Sequence, residues 1–229
     1  MAPAMQHISA SSLEDLPSRI AYLSAFLSLT PEDGEALLAA KPLVAPLVPA
    51  VLDAVYVKLL SFDITAQTFV PRNTGYEGEV VKNVQELTLE HPQIAMRKDF
   101  LKNYIVRLVS TSDLTPTSSF WKYLDNVGIM HTGLPGFKHR EKKPELRVEY
   151  IHMGALLGYV VDIVVGAVME MDVIDTQMKS KVIRALNKVV WIQNDLFARH
   201  YLPKAGEKSV TPPPEGHVVE GKGGCPFSG

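Results

Sequence analysis

The sequence predicts an all-α fold, on three observations. Apolar residues recur with a period near 3.6 along almost the whole chain, strict alternation of the kind that marks strands is scarce, and helix-start chemistry precedes most of the periodic stretches. With 46% hydrophobic and 21% charged residues among 229, the chain holds enough apolar side chain for a sizeable core, which excludes disorder over most of its length.

Taken in order, the elements follow from local chemistry. Ser11 or Ser12 caps a first helix running to about Ser28, with Leu16, Ile20, Leu23 and Leu27 on its apolar face. Thr30-Pro31-Glu32-Asp33 starts a second: a capping threonine, a proline in the first turn and acids set against the helix dipole. Lys41-Pro42 is expected to end it. Pro46 and Pro49 mark the start of a third, whose body reaches about Phe62 through Val51, Leu52, Val55, Tyr56, Leu59 and Leu60. The pattern breaks over residues 63–76 and closes in the turn-rich run Pro71-Arg72-Asn73-Thr74-Gly75.

Residues 77–89 are expected to be helical. Pro92 forces a fresh start, and residues 94–109 read as a helix carrying Phe100, Leu101, Tyr104, Ile105 and Leu108. Ser118 or Ser119 opens a short helix that stops at Gly133 and Pro135-Gly136. After the charged loop KHREKKPE comes a long apolar helix expected over residues 146–170, and then a last one over about 176–201 with Val182, Leu186, Val189, Val190, Gln193 and Phe197 at helical spacing. Residues 1–10 are expected to be a flexible N-terminus, and the Gly-, Pro-, Lys- and Glu-rich residues 203–229 a disordered tail, leaving one domain over 11–202.

Composition removes several function classes. Lys and Arg number 23 against 25 Asp and Glu, for a formal charge of −2, without the basic excess of a nucleic-acid binder. A single cysteine, Cys225, excludes an intrachain disulfide framework and a zinc site built on several thiolates. No secretory signal is visible in the first ten residues, and the cytoplasm is the expected location. The apolar run over residues 153–169 is short for a bilayer and carries Asp162 near its middle, so it reads as a buried helix and not a membrane span.

The sharpest local feature is FWKYLDNVGIMH, residues 120–131. Phe120, Leu124, Val127 and His131 fall on one helical face, so a histidine continues an apolar stripe to the helix end. Two readings stand side by side: a core histidine satisfied by a backbone carbonyl, or an axial ligand offered to iron from the floor of an apolar pocket. Gly128 leaves room where a flat cofactor would lie against the helix. Tyr56 shares a face with Leu52, Leu59 and Leu60; its hydroxyl either reaches a backbone group or the surface, or points at a ligand in an apolar cavity. Phe100, with Met96 and Tyr104 beside it, is ordinary core or a wall of that cavity.

Other motifs fail on chemistry. Glu149-x-x-His152 is half of a carboxylate di-iron site with no second half. Gly216, Gly221 and Lys222 have phosphate-loop spacing, but Gly223 stands where Ser or Thr would hold magnesium. The absence of C-x-x-C-H means that any haem is held non-covalently. Asp195, Arg199 and His200 read as a charged helix end, the two bases facing the C-terminal dipole.

Four runs in order, AVYVKLLSFDITAQTF (54–69), EHPQIAMRKDFLKNYIVRL (90–108), FWKYLDNVGIMHTG (120–133) and EYIHMGALLGYVVDIV (149–164), resemble the protoglobins and the globin domains of globin-coupled sensors. The resemblance spans about residues 11–201. It implies a globin-like helical sandwich extended by a pre-A helix and packed around non-covalent haem b. His131 matches the proximal iron ligand, Tyr56 the distal tyrosine and Phe100 a distal-side residue, with Val127 on the same stripe as His131. Val55 and Leu156 fall where archaeal protoglobins carry aromatic residues. The implied function is reversible binding of O₂, CO or NO, as carrier or sensor, in a homodimer formed through helices G and H. About 28 residues follow Tyr201, too few for a transmitter domain, so sensing calls for a separate partner. Two rivals remain: a haem enzyme, a nitric oxide dioxygenase or peroxidase-like catalyst fed by an external reductase, and a helical interaction module without haem.

Overall fold

Proline does not break the chain where the sequence predicts. In the computed structural model, which describes residues 5–72, 76–138, 141 and 146–202, helix α2 (Pro31–Val44) runs through Pro42 and passes by a 3-10 turn, Ala45–Leu47, directly into α3 (Val48–Leu60). Pro42 is exposed, so water can take the carbonyl that its missing N–H leaves unbonded. Pro46 and Pro49 are the second residues of their elements, within the first turn, where a helix makes no use of the N–H.

The first helix, α1 (Leu16–Leu27), is capped by Asp15 and not by Ser11 or Ser12. The Asp15 carboxylate accepts the Ser18 N–H at 3.0 Å, while the serines wind into a 3-10 turn, Ala10–Glu14. Thr30 opens α2 as expected, in a capping box with Asp33. A short helix α4 (Asp63–Ala66) and a 3-10 turn, Gln67–Phe69, follow α3. Residues 77–89 are not a helix; they hold one 3-10 turn, Val84–Glu86. The Glu86 carboxylate accepts the Lys82 N–H at 2.9 Å and the Asn83 amide at 2.7 Å, a local alternative that holds the backbone out of helix.

Helix α5 (Pro92–Leu108) has proline at its first position, and α6 (Ser119–His131) is capped by Ser118, whose hydroxyl accepts the Phe120 N–H at 3.2 Å. Helix α7 (Tyr150–Glu170) starts four residues later than expected. Residues 146–148 are instead paired with the end of α6, through a Thr132–Arg147 bridge and bonds from Gly133 N–H to the Leu146 carbonyl and from Val148 N–H to the His131 carbonyl. Gly136, with φ near +63°, makes the intervening turn; a Cβ there would lie 2.5 Å from the Asn126 carbonyl oxygen. Helix α8 (Thr176–Ala198) is capped by Asp175. The motif around Gly216, Cys225 and the rest of the tail lie outside the described residues.

Helix α8 is the axis of the packing: α1, α2, α6 and α7 all contact it. Trp121, Leu124, Ile20, Leu37, Val189, Ile192 and Leu196 form the main core there, each 0–1% exposed. A second cluster joins α3, α5 and α7 around Val51, Leu52, Ile94 and Ile105. The expected charged helix end is a set of ties between helices. Asp195 takes a two-pronged ion pair from Arg19 of α1 at 2.5 and 2.7 Å, and Asp125 of α6 takes His200 at 2.8 Å and Arg199 at 3.5 Å.

Two further expectations are corrected. Helix α7 is not buried: only Met153 and Val168 are, while Ile151, Ala155, Gly158, Asp162, Gly166 and Met169 form an exposed stripe. One face packs on its neighbours and the opposite face is open, apolar though the sequence is. Residues 31–60 and α7 are both long and apolar enough to cross a membrane by length and composition. Gly128 makes room for α8 and not for a cofactor, since a Cβ there would lie 2.6 Å from the Leu196 carbonyl oxygen and 3.1 Å from the His200 ring. Gly128→Ala should therefore force α6 and α8 apart and cost about 1–3 kcal/mol, read as a lower urea midpoint with unchanged slope. An unchanged midpoint would show that the contact yields without cost.

Candidate functional site

His131 is the last residue of α6, and its ring is fixed from two sides. Nδ1 lies 2.8 Å from the Val127 carbonyl oxygen, one turn back on the same helix. A carbonyl only accepts, so Nδ1 carries the proton and, in the neutral ring, the lone pair sits on Nε2. Phe197 of α8 meets the imidazole edge-on, centroids 5.7 Å apart at 89°. The carbonyl-satisfied histidine is what the structure holds; the same bond leaves the other ring nitrogen with its lone pair.

The ring lines a cavity of about 650 Å³, within the range of roughly 300–1,000 Å³ typical of cofactor sites. Its walls are overwhelmingly apolar and come from α2, α3, α5, α6, α7 and α8, with residues of α4 and the 3-10 turn after it at one side. Val127 and Leu156 line it beside His131. Phe100 lines it too, but is 55% exposed and so stands at the margin and not in the interior. Val55 is different. It is fully buried in the α3–α5 cluster and is not part of the wall.

Tyr56 is 5% exposed, its ring tilted against Phe69 at 5.7 Å, and it faces the same cavity. Burial pushes its hydroxyl well above the ordinary tyrosine range, against a smaller opposing pull from the Arg97 guanidinium, so it stays protonated and able to donate. Arg97 itself stacks on Phe69, 4.9 Å from the ring centre. The loop bearing Phe69 is held from within by the buried Gln93, whose amide donates to the Phe69 and Pro71 carbonyls at 2.5 and 2.9 Å.

Tyr104, one turn after Phe100, is a cavity residue that the sequence marks only as a neighbour of that phenylalanine. Its hydroxyl is buried with no hydrogen-bond partner among the described residues, and burial raises it far above the tyrosine range. An i, i+4 relation to Phe100 was the available signal. His152 also lines the cavity, whereas Glu149 turns to Arg147 at 3.7 Å, so the two do not act as a pair.

The donor set suits a flat, mostly apolar group bearing one metal that takes a single imidazole. Among the described residues no cluster of three or more His, Cys, Asp or Glu side chains is placed to hold a bare ion. A porphyrin fits: the cavity has the volume and the greasy walls, and the neutral imidazole has its second nitrogen already oriented.

A sequence model of the protoglobin family matches residues 16–207. Among solved structures, the globin domain of the Geobacter sulfurreducens globin-coupled sensor has the same fold, with a TM-score of 0.56 at 17% identity, covering 79% of this chain and 96% of that one. No curated protein matches the chain. With an all-α globin-like architecture and a family match over most of its length, the chain belongs to the protoglobin family.

Proposed function

We propose that this protein is a haem b globin that reversibly binds O₂, CO or NO, with His131 as the axial iron ligand. One observation carries the reading: an imidazole whose Nδ1 is committed to the Val127 carbonyl lines an apolar cavity of cofactor size. Family membership supports a globin-type gas-binding or sensing role.

Haem, when bound, supplies an iron centre with a coordination position open to a diatomic gas. Everything else is done by side chains of this chain. The Val127 carbonyl holds the imidazole in one tautomer and raises its basicity. Apolar walls from Leu156, Val127 and their neighbours offer a porphyrin face a greasy surface. Tyr56 brings a protonated hydroxyl into that space, and a hydrogen bond from it to a polar ligand is worth about 1–2 kcal/mol, near tenfold in affinity. CO, less polar when bound, gains less.

The rest of the reading concerns partners. The cytoplasm is the expected location, and an external reductase that keeps the iron ferrous belongs among the expected partners. The open α7 stripe, with Ile151 and Met169 well exposed and Trp191 of α8 58% exposed, supports a homodimer through α7 and α8.

Absorption spectra of the ferric, ferrous and CO-treated protein test the whole reading. A Soret band that shifts with CO and is lost in His131→Ala is expected; colourless wild-type protein overturns it. Tyr56→Phe should raise O₂ dissociation about tenfold in stopped flow while CO dissociation moves less. Equal rates in the variant would show that the hydroxyl does not reach the ligand.

A further inference from the structure

We propose that Tyr201 is a positioning residue for His131, acting on its main chain. This rests on the reading of His131 as an iron ligand. A helix end leaves carbonyls without intrahelical donors, and the carbonyl of His131, at the end of α6, is one of them. It accepts the Val148 N–H at 2.9 Å and lies 3.1 Å from the Tyr201 hydroxyl. The same hydroxyl is 2.7 Å from the Val148 carbonyl oxygen. One O–H proton is therefore shared between the two segments that face each other after α6, residues 131–133 and 146–148. The bond from Gly133 N–H to the Leu146 carbonyl, 3.0 Å, extends the same pairing.

The geometry gives the end of α8 two grips on one residue. Phe197 touches the imidazole edge, and Tyr201, four residues on, fastens the carbonyl of the same histidine. The first restrains the ring; the second restrains the main-chain rotation that would swing it. Val127 holds only Nδ1 and leaves that rotation unopposed. The tyrosine ring is itself seated on Tyr150, centroids 5.6 Å apart.

Tyr201→Phe removes one hydroxyl and keeps the ring on Tyr150. Tyr150→Phe is the control: it deletes a neighbouring hydroxyl that bonds Asn194 at 3.0 Å and leaves the pairing after α6 intact. Two measurements on the full chain separate the possibilities. Amide exchange at Val148 and Gly133 should be roughly five- to tenfold faster in Tyr201→Phe and unchanged in Tyr150→Phe. The iron–histidine stretching band of the ferrous protein, read by resonance Raman, should be displaced in Tyr201→Phe and stay at the wild-type position in Tyr150→Phe. An unmoved band in Tyr201→Phe, or an equal displacement in both variants, overturns the positioning role. Wild-type protein that takes up no haem overturns the reading of His131 as ligand, a failure visible without either variant; unchanged amide exchange in Tyr201→Phe overturns the clasp whatever the haem content.

Discussion

The bond between His131 Nδ1 and the Val127 carbonyl is the constraint on which the site depends. An imidazole free to exchange tautomers offers a metal either nitrogen and no fixed direction. Committing one nitrogen to a carbonyl on the same helix turns a flexible side chain into a directional donor, using only the geometry of one helical turn. The cost is small, because a carbonyl oxygen has two lone pairs and can accept the ring N–H beside a helical bond. The cavity that the ring lines is walled mainly by apolar side chains.

Rigidity around that bond comes from α8. It lies close enough to α6 that only glycine fits at position 128, and it supplies Phe197 to the imidazole. Asp125 of α6 gathers His200 and Arg199 from just beyond α8, so the two elements are joined by charge as well as by packing. These groups are only 13–21% exposed, where an ion pair is screened less than on an open surface.

Much of this was legible in the sequence, and the failures have physical causes. The stripe of Phe120, Leu124, Val127 and His131 depends on periodicity alone, and α6 carries it as read. Tyr56 likewise follows from the face it shares with Leu52. Val55 was out of reach, because which buried side chain meets a cavity and which meets a neighbouring helix is decided by packing partners far along the chain. Pro42 misled because proline signals a missing donor, and whether water replaces it depends on exposure. Residues 77–89 misled because the Glu86 side chain captured the hydrogen bonds a helix needs. At Gly128 the missing side chain is plain in the sequence, but that the space goes to α8 depends on a helix about seventy residues further along the chain.

The two-pronged pair between Arg19 and Asp195 gives the first helix more weight than an appendage would have. Ile20, one residue on, is wholly enclosed, in the same core cluster as Trp121. Stripping α1 away would open a hollow in the principal core and leave a partly covered carboxylate on α8 with no counter-charge from Arg19. A shortened chain that begins at α2 would thus resemble a core mutant in its energetics, and any protease nicking near Leu29 would register as lost thermal stability well before it registered as lost mass.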